Sequence, residues 1–263
     1  MIDARTALDR LKRREIIPVN TMLVVAHPDD ETIGIGASLC LFRSLTLILV
    51  TNGAPASMHD ARGAGFETSE AYAGARRAEL HRALEAAQAG GDCLSLGYRD
   101  QETPERLTAL TRQLSELLQS AELVITHCYE GGHPDHDSCA FAVHAACRKM
   151  RRPPAVLEFP SYHAGERGER VVQRFLPNGD RPLEIALDDA AKARKRAALE
   201  CFTTQRQILA QFSPDREPLR AAPAYDFRAL PHPAPLLYES FGWGITGVRW
   251  LERATEALSE IGL

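Results

Sequence analysis

Short, continuous runs of apolar residues recur along about the first 160 positions, and a segment with helical spacing follows each of the first four runs. Continuous apolar runs of this length are typical of parallel strands that are buried on both faces. The expected strands are Met22–Ala26, Leu45–Val50, Cys93–Leu96, Leu123–Thr126 and Val156–Phe159, and the expected helices are Thr32–Arg43, Ser69–Ala89, Pro104–Gln119 and Pro134–Met150. Strands and helices in alternation predict an α/β fold, a Rossmann-like three-layer sandwich with a mostly parallel sheet.

The pattern changes beyond Arg170. Val171–Leu176 and Leu183–Leu187 alternate between apolar and polar positions, which predicts a small antiparallel addition around a turn at Pro177–Asp180. Three further elements are expected toward the C-terminus, namely a long helical segment at Asp188–Gln211, an extended loop at Ser213–Pro235 and a final helix at Trp250–Ile261. Helices therefore dominate the expected structure after the sheet.

Composition narrows the classes of function. Of the 263 residues, 44% are hydrophobic and 25% are charged, which is ordinary for a globular protein. No run approaches the ~18 apolar residues that a membrane span needs. The net charge of −4 argues against a nucleic-acid partner. The charged N-terminus has no apolar leader, so a cytoplasmic location is expected. We expect a single domain over 1–263, with a catalytic core at about 20–165 and a C-terminal extension at about 166–263.

Two clusters of imidazole and carboxylate side chains follow two of the expected strands. The first is Ala26-His27-Pro28-Asp29-Asp30-Glu31, and the second is Gly131-Gly132-His133-Pro134-Asp135-His136. In a parallel sheet, ligands bind at the carboxyl ends of the strands, where both clusters lie. Imidazole and carboxylate groups suit Zn²⁺, which keeps three protein ligands and an open position in catalytic sites. Helix capping would explain one acidic residue in each cluster, but not the whole set.

The two motifs together resemble the LmbE-like (PIG-L) zinc-dependent N-deacetylases over about residues 20–210. The resemblance implies that His27, Asp30 and His136 are the metal ligands. It implies that Asp29 is the general base and that His133 faces the developing oxyanion. Asp135 is expected to orient an active-site imidazole, with simple helix capping as the alternative. Zn²⁺ is the expected cofactor, although Fe²⁺ or Co²⁺ suits the same ligands.

The resemblance extends to two softer positions. Arg76, in Arg76-Arg77-Ala78-Glu79, resembles an arginine of the family that contacts substrate, while a solvated helix face is the alternative. Asp100 resembles an acid that binds sugar hydroxyls. Some relatives carry a tyrosine two residues before the first histidine of the second motif, here His133. In this chain that position is Gly131 and the nearest aromatic is Tyr129, so the chain departs from those relatives in any tyrosine contribution to the oxyanion.

The function that the resemblance implies is removal of an acetyl group from an N-acetylated sugar, with a small molecule or glycoconjugate as substrate. The alternatives are a zinc hydrolase of a non-sugar acyl amide and a catalytically silent binding protein of the same fold. The substrate, its carrier and the oligomeric state stay open. So does the role of the segment Tyr238–Gly244, which is either a lid or sugar-stacking platform or an ordinary packed loop.

Overall fold

The computed structural model describes residues 2–179, 181–233 and 235–263. Within these ranges, seven strands form one sheet in the order β3-β2-β1-β4-β5-β9-β8, and β6 and β7 form a separate pair. The strands are β1 (Ile17–Val25), β2 (Phe42–Pro55), β3 (Asp92–Asp100), β4 (Leu123–His127), β5 (Ala155–Phe159), β6 (Tyr162–Ala164), β7 (Arg170–Val172), β8 (Leu183–Glu184) and β9 (Pro218–Ala221).

Helices connect and cover these strands. The α-helices are α1 (Ala4–Lys12), α2 (Asp30–Ile35), α3 (His59–Gly63), α4 (Ser69–Ala86), α5 (Leu107–Leu117), α6 (Pro134–Arg148), α7 (Asp189–Glu200), α8 (Arg206–Leu209) and α9 (Gly247–Ile261). Short 3₁₀ segments lie at Leu39–Leu41, Thr103–Arg106, Leu118–Ser120, Thr203–Gln205 and Leu237–Phe241.

The sheet separates two apolar cores, which makes the fold a three-layer sandwich. Strand β1 alternates between them: Leu23 packs on the side of α1, α4 and α7, and Val24 on the side of α5, α6 and α9. Strands β1 to β5 are parallel, whereas β9 and β8 are antiparallel additions. The predicted α/β class and mostly parallel sheet are therefore confirmed.

The antiparallel addition is built differently from the predicted hairpin. Strand β7 pairs with β6, and β8 pairs with β9, so the two alternating segments do not pair with each other. The predicted turn includes Asp180, which lies outside the described residues. Strand β9 lies inside the expected loop 213–235; it is only four residues long and contains Arg220, so no apolar run marks it. That arginine is buried, and its charge is balanced by Glu158 of β5, which accepts a hydrogen bond from its Nε at 2.7 Å.

The predicted helix Thr32–Arg43 is also wrong over most of its length. Helix α2 ends at Ile35, and β2 already begins at Phe42. The buried carboxylate of Glu217 explains the early end, because it accepts from the Ala37 N–H and the Ser38 hydroxyl, both at 2.6 Å. The first of these bonds occupies the Ala37 N–H, a backbone donor that a continuing helix would use.

Among the described residues, no helix is both long enough and apolar enough to cross a membrane.

Candidate active site

The two motif loops lie side by side at one edge of the sheet. Strand β1 pairs in parallel with β4, with Leu23 opposite Ile125, so the residues that follow the two strands emerge next to each other. The first loop leads into α2 and the second into α6. The sheet topology thus brings together two segments that are about a hundred positions apart in sequence.

Three side chains converge on one point between these loops. His27 Nδ1 lies 3.2 Å from Asp30 Oδ2 and 3.2 Å from His136 Nε2. His136 Nε2 lies 3.3 Å from Asp30 Oδ1. Four tetrahedral zinc bonds of about 2.0–2.1 Å would place ligand atoms about 3.3–3.4 Å apart, close to this spacing. The donor set and its dimensions therefore fit a divalent metal ion.

The charge around His27 also fits a cation. Burial alone would lower the pKa of His27, but Asp100, Asp135 and Asp30 raise it well above its ordinary value. Several carboxylates around one imidazole give the site an excess of negative charge, and a divalent ion would balance that charge. Overlapping sets of candidate ligand atoms within 4.8 Å of one another include His27, His133 and His136, and Asp30, His127 and His136.

Asp135 contacts His27 on the side away from this point. Its Oδ2 lies 3.2 Å from His27 Nε2, and it also accepts from the Gln101 N–H at 2.6 Å and, through Oδ1, from the Thr103 hydroxyl at 2.5 Å. A proton on Nε2 leaves the lone pair of Nδ1 free for a metal. Asp135 does not cap α6; the N-cap is His133.

His127 is close to the cluster but is already engaged. Its Nε2 accepts a hydrogen bond from the Ala26 N–H at 3.1 Å, so that lone pair is not free for a metal. Burial lowers the pKa of His127 to about 4, which keeps the ring neutral at physiological pH. The ring stacks on His136 with centroids 4.0 Å apart. His127 therefore belongs to the polar network that holds the site.

His133 presents a hydrogen-bond donor to the pocket. Its Nδ1 accepts from the Asp135 N–H at 3.1 Å, which places the proton of the neutral ring on Nε2. Burial lowers the pKa of His133 well below its ordinary value, so the ring is uncharged. Its Nε2 lies 3.7 Å from Asp100 Oδ1. A neutral N–H donor aimed into a pocket can stabilise an oxyanion.

Asp29 has an unusual backbone and makes no capping hydrogen bond. Its φ angle is 149°, a value that residues with a side chain rarely adopt. Its N–H donates to Glu31 Oε2 at 3.1 Å, and its Oδ2 accepts from Arg76 at 2.9 Å. Burial raises the pKa of Asp29 to about 7, although the Arg76 guanidinium opposes that shift. A carboxyl group that titrates near neutral pH is suited to proton transfer.

Arg76 is buried, unlike its neighbour Arg77, so the solvated-face alternative does not describe it. Besides the contact with Asp29, its guanidinium donates to the carbonyls of Gly53 at 2.6 Å and Pro28 at 3.1 Å. Gly53 has φ of +65°, and a Cβ there would lie 2.5 Å from an Arg76 nitrogen. Arg76 therefore fastens the first motif to the end of β2.

Asp100 stands at the end of β3 and lines the same pocket. Its Oδ1 lies 3.3 Å from His27 Nε2, yet no described group forms a hydrogen bond with that oxygen. The pocket has a volume of about 100 Å³. An ionised, buried carboxylate with free lone pairs can accept hydrogen bonds from a ligand.

Sequence reasoning missed Tyr162 as a residue of the pocket, whereas Trp243 lies in the segment Tyr238–Gly244, whose role it left open. Tyr162, Trp243 and Gln205 line the pocket together with the motif residues. Tyr129, the aromatic nearest the second motif in sequence, instead stacks on Trp250 and donates to the Ala229 carbonyl. No local signal marks Tyr162, because it reaches the site from a segment beyond the parallel strands.

Comparison with known proteins gives the site a context. Residues 22–147 match the profile of the PIG-L family, described as GlcNAc-PI de-N-acetylase. The chain is 27% identical over 262 residues to the 1D-myo-inositol 2-acetamido-2-deoxy-alpha-D-glucopyranoside deacetylase of Corynebacterium diphtheriae, covering 86% of this chain and 88% of that protein. It is 28% identical over 175 residues to the "Probable N-acetyl-alpha-D-glucosaminyl L-malate deacetylase 2" of Bacillus anthracis, covering 60% and 76% of the two chains.

A solved structure has the same fold. The A40926 pseudoaglycone deacetylase superposes with a TM-score of 0.57 at 23% identity, covering 74% of this chain and 85% of that one. The family match includes both motif loops, the parallel strands from β2 to β4 and all but the last residue of α6. The resemblance inferred from the two motifs is thereby confirmed: residues 22–147 match the PIG-L (LmbE-like) family model, and the chain is similar to deacetylases.

Proposed function

We propose that this protein is a metal-dependent N-deacetylase that hydrolyses the acetamide of an N-acetylglucosamine unit in a small molecule or glycoconjugate. The observation that carries the proposal is that three side chains converge on one point while the neighbouring Asp29 does not join them. Three side chains converge at 3.2–3.3 Å, while Asp29, adjacent in sequence to Asp30, is held away from them by Arg76. The named activities of both sequence relatives, each acting on a glucosamine derivative, support a sugar substrate.

His27, Asp30 and His136 would hold the metal, and Zn²⁺ is the ion that this donor set favours. Fe²⁺ and Co²⁺ accept the same ligands, so the native ion depends on availability. When bound, such an ion supplies a Lewis acid for the amide carbonyl and for the attacking water.

The other residues of the pocket supply proton transfer and charge stabilisation. Asp29, whose pKa burial raises to about 7, takes the proton from the attacking water and returns it to the leaving nitrogen. The Nε2–H of His133 donates to the oxygen on which negative charge develops. Asp100 accepts hydrogen bonds from sugar hydroxyls through its unpartnered oxygen, and Arg76 keeps Asp29 in position.

Acetate release tests this function. Zinc-loaded protein is offered N-acetylglucosamine, N,N′-diacetylchitobiose and N-acetylbutylamine, and acetate is measured with time. We expect the sugars to be hydrolysed and the simple acyl amine to react far more slowly. Equal rates on the amine would favour the non-sugar hydrolase. No acetate from any substrate would contradict the proposal and favour a silent binding protein.

A further inference from the structure

Trp243 is a large, partly exposed aromatic side chain at the mouth of the pocket. Its side chain is 37% exposed, whereas Trp250, the other tryptophan, is fully buried. The indole packs against the ring of the proposed oxyanion donor His133, with centroids 4.8 Å apart. An exposed tryptophan in contact with a proposed catalytic group is unusual enough to require an explanation.

The backbone on both sides of Trp243 has a left-handed conformation that places this residue at the tip of a turn. Gly242 and Gly244 flank it with φ of +71° and +77°. A Cβ at either glycine would meet no atom within 4 Å, so a lack of space is not the reason for glycine at these positions. The left-handed backbone favours glycine there. Two such positions around one residue make a tight reversal with Trp243 at its tip.

The base of this reversal is fixed to the second motif. Glu239 accepts from the Leu236 N–H at 2.5 Å and from the Gly247 N–H at 3.0 Å, which joins the two ends of the segment. The Leu237 N–H donates at 2.9 Å to the carbonyl of Gly131, which is two residues before His133 in the chain. Trp243 is therefore held in place before a ligand arrives.

Aromatic contacts continue from the tip toward the pocket. Phe241 lies beside Trp243, with ring centroids 4.7 Å apart. The Arg170 guanidinium lies over both Phe241, at 5.3 Å, and Tyr162, at 5.4 Å. Since Tyr162 lines the pocket, these contacts connect the tip of the reversal to the pocket wall.

Trp243 separates the pocket from a second cavity. That cavity has a volume of about 480 Å³ and adjoins the pocket at Asp100, Gln101 and Trp243. Among the described residues, the side-chain amide of Gln101 and the guanidinium of Arg99 have no hydrogen-bond partner. The second cavity thus combines one aromatic face with free polar groups, the composition that suits a sugar or cyclic polyol ring.

We propose that Trp243 is a specificity-determining residue that stacks on a second ring, attached to the N-acetylated sugar and seated in the cavity beside Asp100. This inference rests on the proposed function and adds to it the class of substrate. The N-acetylated ring occupies the pocket between Asp100 and the motif residues, and its ring substituent lies across the indole. A two-ring substrate is therefore preferred to a free monosaccharide.

Kinetics on one-ring and two-ring substrates test the proposal. In Trp243→Ala, the ratio of kcat/KM for N,N′-diacetylchitobiose to kcat/KM for N-acetylglucosamine should fall by roughly 3- to 10-fold, the range expected for one aromatic contact. Trp243→Phe should retain part of the preference. Val248→Ala is the matched control, since Val248 is 63% exposed and does not line either cavity, and it should keep the wild-type ratio.

Fluorescence provides a readout that does not depend on turnover. Because Trp250 is buried, iodide quenches mainly Trp243, and the deacetylated disaccharide should protect it while glucosamine protects it less. An unchanged kinetic ratio in Trp243→Ala, or equal quenching with and without the disaccharide, would overturn the proposal. Acetate release without any preference for two rings would overturn it as well and leave the deacetylase function standing. Absence of acetate release from both substrates would instead contradict the deacetylase function itself.

Discussion

The two motif loops share the tripeptide His-Pro-Asp, yet the structure uses it in two ways. In the second loop, His133 is the N-cap of α6 with an ordinary extended backbone, and the helix begins at Pro134. In the first loop, the helix begins only at Asp30, and Asp29 takes a φ of 149°. The same aspartate therefore points to Arg76 in one loop and to His27 in the other.

The difference lies in what supports each loop. Asp137, inside α6, accepts from the N–H groups of Glu130 and Gly131 at 3.1 Å each, so the second loop is closed by its own residues. The strained first loop is held by Glu31 and by Arg76, which arrives from α4. Strain at a functional site persists when surrounding groups over-determine it. Because Arg76 holds Asp29 in its strained conformation, the first loop should be sensitive to changes outside the motif.

The largest expected loss of activity comes from removing one of the proposed metal ligands at the point where the two loops meet. Asp30→Ala and His136→Ala should each lose most of their metal and lower kcat/KM by about 10³-fold or more, since Lewis-acid catalysis supplies several kcal/mol. Elemental analysis of protein purified without chelator measures the metal. His59→Ala, at an exposed histidine, is the control and should keep its metal. Full metal content in both ligand variants would show that the assignment is wrong.

The next largest loss of activity separates the roles of the adjacent aspartates Asp29 and Asp30 in the first loop. Asp29→Asn should fold, retain metal near stoichiometrically and lose about 10²–10⁴-fold in kcat, the usual contribution of a positioned general base. Zinc content, melting temperature and turnover are measured on the same preparation. Loss of metal would mean that Asp29 and Asp30 have exchanged roles. Near-normal turnover would remove Asp29 from the mechanism.

A smaller loss of kcat should follow when Arg76, which supports the first loop from α4, is removed. Arg76→Ala should keep its metal but lower kcat by about 10- to 100-fold, because a misplaced base costs up to ~10² in rate. Arg77→Ala, which changes the exposed neighbour on the same helix, is the matched control and should behave as wild type. If Arg76→Ala raised KM alone, Arg76 would be a substrate contact and not the support of Asp29.

The smallest effect on kcat is expected from the aspartate of the second loop. Asp135→Asn should weaken metal affinity by about 10- to 100-fold, as is usual when a group behind a metal-binding histidine is changed. With the metal in excess, kcat should return close to the wild-type value, and a metal titration of turnover measures both quantities. Failure of excess metal to restore kcat would place Asp135 in the chemistry itself and abolish the contrast with Asp29.

How much of the fold could be predicted from the sequence alone depended on the length and polarity of each segment. The parallel strands are long apolar runs, and continuous burial on both faces leaves that record in the sequence. Strands β8 and β9 are two and four residues long, and β9 holds a buried arginine whose partner Glu158 comes from β5. A charge that is buried only because a distant residue pairs with it has no local signature.

The sequence by itself determined the α/β class and the two loops that carry imidazole and carboxylate groups, because periodicity and short motifs are local properties. Only the tertiary structure decided that Asp29 is strained and tied to Arg76, while Asp135 supports His27. It also decided that Trp243, more than a hundred positions beyond the second motif, covers His133. Pairing between distant segments sets these contacts, since a backbone angle or a hydrogen bond depends on neighbours that sequence order does not reveal.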